Sequence, residues 1–307
     1  MSKKRYSAAP VKIGFFAVFF LLIFFTVCLL VMLVHPAKDI RDVPTDTRAQ
    51  STSDSSSEPP SGAQPTGTDA STPESSDSSS NGKYTYTFTA DLSAYEKYME
   101  PGTDDYLFLV NATHTLDASY APSDLVSVVN IRTDGRSAQM REYAEKALEA
   151  LFIEAEAQGM TYVNSATGQK LSVMSAYRDY AYQGQLFNTY TNREMAKNPS
   201  LTREQAEAVT VTYSNRPGTS EHQTGLCCDM HNLSSADQSF KTERAAKWLA
   251  DNCYKFGFIL RYPEDKTDIT GTSYEPWHFR YVGRYHASEM NRLGMCLEEY
   301  MKHLGRD

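Results

Sequence analysis

Three regimes of apolar and polar spacing divide the 307 residues of this chain. From Ile13 to Val34 the chain is an unbroken apolar run, rich in Phe, Leu and Val and free of charge. A helix of that length spans roughly 33 Å, enough to cross the hydrocarbon core of a bilayer. Lys3, Lys4, Arg5 and Lys12 precede the run, and only His35 and Pro36 stand where a small-residue cleavage signal would follow it. The pattern predicts a retained transmembrane signal anchor over 13–34, with residues 1–12 in the cytoplasm and the rest exported. Residues 35–83 invert the composition, and from Asp39 to Asn81 the chain is Ser, Thr, Pro, Asp and Gly with almost no large apolar residue. Such a segment cannot bury enough surface to offset its ordering entropy, so a disordered linker is expected.

Apolar residues return at Tyr84, and residues 84–307 read as one extracytoplasmic domain, long enough for a well-buried core. The run Tyr106 to Asn111 predicts a strand. Met140, Ala144, Ala147, Leu148, Leu151, Phe152 and Ala155 recur at helical spacing, and Gly159 supplies a stop. Lys170 to Ser175 predicts a strand that ends just before Arg178, and Gln183 follows on a helix. Thr202 and Gln205 form a capping box that starts another helix. Ala245, Trp248, Leu249, Cys253 and Phe256 line one face of a helix that Gly257 ends. Phe258 to Arg261 and Trp277 to Val282 predict strands around a turn-rich loop, and one last helix carries Ala287, Met290, Leu293, Leu297, Tyr300 and Leu304. Helices and short strands without a regular βαβ alternation predict an α+β fold.

The formal net charge is -8, and no basic stripe crosses the second half, so no nucleic-acid partner is expected. The domain is expected to be a monomer. Of five cysteines, Cys28 lies in the apolar run, leaving Cys227, Cys228, Cys253 and Cys296. Neighbouring Cys227 and Cys228 would point to opposite faces of a strand. Two readings stay open: a disulfide from one of them to Cys253 or Cys296, or buried thiols acting as small apolar residues.

Candidate chemistry concentrates in Arg216 to Asp229, RPGTSEHQTGLCCD, where Pro217-Gly218 and Gly225 mark bends and His222 precedes Asp229 by seven residues. A second cluster, Glu275-Pro-Trp-His278, follows. Two histidines and an aspartate with a spare glutamate are the parts of a hydrolytic zinc site, in which three protein ligands leave a fourth position open. Glu275 suits a base, stiffened by Pro276, and Arg178 suits an oxyanion or carboxylate partner. On a strand, His278 and Arg280 share one face while Trp277 and Phe279 pack behind. His231 and Cys227 compete as ligands, since both share the face of Asp229. No HExxH segment occurs, and each residue also has an ordinary structural reading, so spacing alone leaves the metal site open.

Ser175-x-x-Arg178 with Gln183, Ser220-x-His222-x-x-Gly225-x-x-x-Asp229, and Glu275-x-Trp277-His278-x-Arg280 resemble the VanY-type D-alanyl-D-alanine carboxypeptidases, zinc enzymes related to VanX dipeptidases and the hedgehog domain. Leu109 to Asn111, Pro122 to Leu125, Phe256 to Pro263 and Ile269 to Gly271 extend the likeness, which runs from about Tyr106 to Gly283. It implies a small antiparallel sheet with flanking helices. His222, Asp229 and His278 would bind Zn2+ and Glu275 would be the base. Arg178 would counter the oxyanion or hold the substrate carboxylate, with Ser220 and Gln183 lining the site. One departure is the pair Cys227-Cys228, where the family usually has small or aliphatic residues.

The resemblance implies a membrane-tethered carboxypeptidase that removes the terminal D-alanine from peptidoglycan stem peptides. The alternatives are an L,D-carboxypeptidase acting on tetrapeptide stems and, from another class, a non-catalytic peptidoglycan-binding module.

Overall fold

A four-stranded antiparallel sheet with strand order β3-β4-β6-β5 carries the candidate chemistry on one of its faces. Its strands are β3 (Ser172–Ser175), β4 (Cys227–His231), β5 (Phe258–Leu260) and β6 (His278–Tyr281). A separate hairpin pairs β1 (Leu125–Ser127) with β2 (Gln139–Arg141). The computed structural model describes residues 84–132 and 138–306, so the expected cytoplasmic segment 1–12, anchor 13–34 and linker 35–83 lie outside the described residues. No helix among the described residues is long and apolar enough to cross a membrane.

Alternation along the central strands sorts the residues by face. Cys228, Met230, Phe279 and Tyr281 point into the main core with Val173, while Cys227, Asp229, His278 and Arg280 take the opposite face. Helix α1 (Glu142–Ala157) covers the core face. It buries Ala144, Ala147, Leu148, Leu151, Phe152 and Ala155, a stripe whose alanines allow close approach to neighbouring elements. Buried Glu154 uses its carboxylate to accept the backbone N–H groups of Thr89 and Ala90, which ties the start of the domain to α1.

Helices α2 (Tyr180–Lys197) and α3 (Arg203–Thr210) pack as a pair, and α3 begins with the predicted Thr202/Gln205 capping box. Helix α4 (Arg244–Asn252) runs on as a tight turn to Phe256 and stops at Gly257. Gly257 has φ of 89°, and a Cβ there would sit 2.8 Å from the Tyr281 ring, so only glycine fits.

Three expectations change. Tyr106 to Asn111 forms no ladder; instead the Arg280 guanidinium donates to the carbonyls of Tyr106 and Phe108 at 3.0 and 3.1 Å. A buried side-chain donor satisfies backbone groups that the apolar pattern assigns to a strand. The last helix is two, α5 (Arg284–Leu293) and α6 (Leu297–His303), broken at Gly294 in the left-handed region and restarted when Glu299 accepts the Cys296 N–H. Cys227, Cys228, Cys253 and Cys296 are all buried free thiols, so the disulfide reading falls; Cys228 and Cys253 pack in the main apolar core, while Cys227 lies beside His222 and His278.

Candidate active site

Ser220 caps a single tight turn, Glu221–Thr224, that lifts His222 over the sheet. Gly225, with φ of 68°, then swings the chain down into β4; a Cβ there would lie 2.9 Å from the Leu125 side chain. Because of this reversal His222 returns above Asp229, with Nε2 3.5 Å from Oδ2. Asp229 and His278 are direct cross-strand partners, and Asp229 Oδ1 lies 3.0 Å from His278 Nδ1. His222 Nδ1 donates to the Ala176 carbonyl at 2.6 Å, leaving the Nε2 lone pair facing Asp229.

These three groups suit a zinc ion. His278 Nδ1 lies 3.0 Å from Oδ1 and His222 Nε2 3.5 Å from Oδ2, so the two imidazoles approach the two oxygens of one carboxylate at separations near the roughly 3.3 Å between neighbouring ligand atoms of a tetrahedral zinc. Cys227 makes a second donor set possible, since its sulfur and one nitrogen each of His222 and His278 lie within 4.8 Å of one another, all buried. His231 stays apart, its Nδ1 accepting the Leu233 N–H at 3.2 Å and facing Arg132 at 3.3 Å.

Glu275 and Arg178 flank the centre. Glu275 Oε2 is 3.7 Å from His278 Nδ1, and Arg178 Nη1 is 3.9 Å from Asp229 Oδ2. Arg178 is aimed by Ser175, which accepts from Nη1 at 2.7 Å, and by Gln183, which accepts from Nε at 2.9 Å. Gln183, itself buried, also donates to the Asn215 carbonyl at 2.6 Å, so it stands behind Arg178 instead of facing the opening.

The charges tune one another. Burial pushes the Glu275 carboxyl up to about 7, with Asp229 adding to the rise and His278 opposing it. Burial alone would raise the Asp229 carboxyl, but His222 and His278 hold it well below the usual carboxylate range. Burial and Arg178 press the His222 imidazole down, yet Cys227 and Asp229 outweigh them and its pKa rises. His278 rises further, as Cys227 and Asp229 overcome the effect of burial. Burial would raise the Cys227 thiol, but the two imidazoles bring it to about 6.

Beneath His278 lies an ion cluster that the sequence analysis does not anticipate. Glu221 accepts from Arg261 Nε at 2.7 Å and lies 3.2 Å from Arg280 Nη1, with all three side chains fully buried. Arg261 also donates to both oxygens of Glu298 on α6, at 2.9 and 2.6 Å. The available signal was charge inside apolar strand patterns, at Arg261 after Ile259-Leu260 and at Arg280 after Phe279.

The centre opens into a cleft of about 450 Å³ walled by Tyr190, Tyr213, Tyr274 and Trp277. A second hollow of about 470 Å³ shares Thr212, Asn215, Tyr262 and Ser273 with it, and its lining carries hydroxyls and amides but no charged side chain. The sheet order places Arg178, beyond β3, and Tyr262, beyond β5, on opposite flanks of the centre.

Comparison with known proteins gives a consistent picture. The pattern of the VanY family, D-alanyl-D-alanine carboxypeptidase, matches residues 137–284. A D-alanyl-D-alanine carboxypeptidase of Enterococcus faecalis (strain ATCC 700802 / V583) is 45% identical over 130 residues, which are 42% of this chain and 46% of that protein. The LD-carboxypeptidase LdcB, from a structure concerned with peptidoglycan recognition, is 33% identical with a TM-score of 0.54, covering 65% of this chain and 86% of that one. A mutant of the vancomycin-resistance D,D-pentapeptidase VanY from a VanB-type cassette, in complex with Zn(II), is 36% identical with a TM-score of 0.51, covering 64% of this chain and 98% of that one.

Proposed function

The chain belongs to the VanY family of D-alanyl-D-alanine carboxypeptidases, and from that premise we propose that it is a zinc carboxypeptidase releasing the terminal D-alanine of peptidoglycan stem peptides. The observation that carries the reading is Asp229 set between His222 Nε2 and His278 Nδ1, with Glu275 and Arg178 on either side. His222, Asp229 and His278 hold the ion. Zinc in such a site supplies Lewis acidity and makes water a nucleophile at neutral pH.

The chain's own residues do the rest. Glu275, near neutrality, takes the proton of the attacking water and returns it to the leaving D-alanine nitrogen. Arg178 faces the oxygen that gains charge, or the substrate's terminal carboxylate, with Ser220 lining the same cleft. The uncharged second hollow gives the acyl side of a stem somewhere to lie, away from Arg178.

A stem peptide ending in D-Ala-D-Ala, given to the purified protein with and without chelator, tests this. Chelator-sensitive D-alanine release is expected, and chelator-insensitive release overturns the zinc mechanism. The likeness to LdcB favours a second reading, L,D-carboxypeptidase action on tetrapeptide stems. Pentapeptide and tetrapeptide supplied side by side separate the two.

The apolar run 13–34 and the polar segment 35–83 support a single-pass anchor and a tether. The N-terminus is then cytoplasmic, and the domain acts outside the cell membrane as a monomer. Protease added to intact cells should release the domain; a domain protected until lysis would refute this topology.

A further inference from the structure

A histidine that gives one ring nitrogen to a metal carries its proton on the other, and that proton needs an acceptor which fixes the ring. For His222 the acceptor is the Ala176 carbonyl. His278 turns Nδ1 toward Asp229 and Glu275, so Nε2 points to the interior. There Nε2 is buried with no hydrogen-bond partner. Glu221 Oε2 is 3.7 Å away, just beyond a hydrogen bond, and it too is buried without a partner. The other oxygen, Oε1, is gripped by Arg261 at 2.7 Å and faces Arg280 at 3.2 Å. Arg261 is itself clamped by Glu298. The carboxylate is therefore fixed with one free oxygen toward the imidazole.

Resting on the zinc reading above, we infer that Glu221 is the positioning residue for His278: it accepts the Nε2 proton and so keeps the Nδ1 lone pair on the metal. Glu221 is fully buried, and its carboxylate faces Arg261, Arg280 and His278. The competing neighbour is Cys227, whose sulfur lies beside both imidazoles, and a Cys227→Ala variant decides between it and the carboxylate.

Glu221→Gln distinguishes positioning from mere packing. Arg261 and Arg280 can only donate, so the carboxamide oxygen turns to them and its NH2 turns to His278. That arrangement favours a lone pair on Nε2 and a proton on Nδ1, the wrong tautomer for the metal. Glu298→Gln loosens Arg261 but leaves Glu221 facing His278.

The test measures zinc affinity of the full chain by competition with a chromophoric chelator, alongside thermal unfolding of the metal-free proteins. Glu221→Gln is expected to weaken zinc by roughly 10–100-fold, as loss of an outer-shell partner does. Glu298→Gln is expected to lower the unfolding temperature and leave zinc affinity unchanged. Unchanged affinity in Glu221→Gln overturns the inference, as does equal weakening in both variants. Weakening in Cys227→Ala without weakening in Glu221→Gln hands the role to the thiol and also overturns it. Should Glu221→Gln fail to fold, nitrogen-edited proton NMR of the zinc-loaded wild type decides. A His278 proton on Nε2 in a strong hydrogen bond upholds the inference, and a proton on Nδ1 overturns it. Wild-type protein that takes up no zinc sinks the metal reading and this inference together. Zinc uptake with an insensitive Glu221→Gln sinks this inference alone.

Discussion

Asp229 and His278 face each other directly across β4 and β6, with Oδ1 and Nδ1 3.0 Å apart. A cross-strand pair is rigid because the ladder on both sides holds it, so two of the three proposed zinc ligands are preset before any ion arrives.

Asp229→Asn should abolish tight zinc binding, a loss larger than the roughly 10–100-fold typical of an outer-shell partner. Metal content after dialysis and D-alanine release should fall together. A variant that retains stoichiometric zinc would show that Cys227 completes the donor set instead.

Glu275→Gln should leave zinc bound and KM little changed while kcat drops by about 10²–10⁴-fold, the usual worth of a positioned base. Its pH profile should also change. In the wild type, activity falls as Glu275 is protonated, and burial, opposed by His278 and aided by Asp229, places that step at about 7 in the metal-free site. A nearby dication favours the carboxylate, so the acid limb of kcat/KM should lie at or below that value and vanish in the variant. A limb that survives would assign the titration to another group.

Zinc affinity should rise with pH. The His222 and His278 pKa values are raised above the ordinary 6.5 by Asp229 and Cys227, so the metal-free site holds protons that zinc must displace. By linkage, that protonation stabilises the metal-free fold most below the unfolded value of 6.5 and less as pH climbs through the raised values. Titration calorimetry in buffers of different ionisation heat should detect proton release; an affinity flat from acid to alkaline pH would contradict the assignment.

Arg178→Lys should lower kcat by about 10²–10³-fold, because an ammonium cannot keep the fork held by Ser175 and Gln183. Gln183→Leu should produce a smaller loss with zinc binding intact. Equal activity in both variants would remove Arg178 from the reaction.

Gly225→Ala should destabilise the fold by at least about 1 kcal/mol, since a left-handed backbone and a Cβ contact at 2.9 Å oppose the methyl. Chemical denaturation measures it, and a neutral result would mean that the bend relaxes freely.

Much of this molecule is legible locally. The apolar stripe of α1, the capping box of α3 and the bends at Gly218 and Gly225 follow from short-range periodicity and backbone sterics. His278 and Arg280 sharing a face follows from the two-residue period of a strand. The strand expected at Tyr106 to Asn111 fails for a long-range reason. Its carbonyls are satisfied by Arg280, a side chain more than 170 residues away, which no window of neighbouring residues contains.

The same division holds for the site. Residue types and spacing nominate His222, Asp229, Glu275, His278 and Arg178 together with His231 and Cys227, because coordination and proton transfer demand those functional groups, and the family resemblance selects among them. Which donors meet depends on β4–β6 register and on the turn over Gly225, and these exclude His231 while leaving Cys227 beside the two imidazoles. Glu221, Arg261 and Glu298 look like ordinary charges in the linear chain. Only packing brings them under His278, because burial of a charge is tolerated where distant parts of the chain supply its counter-charge.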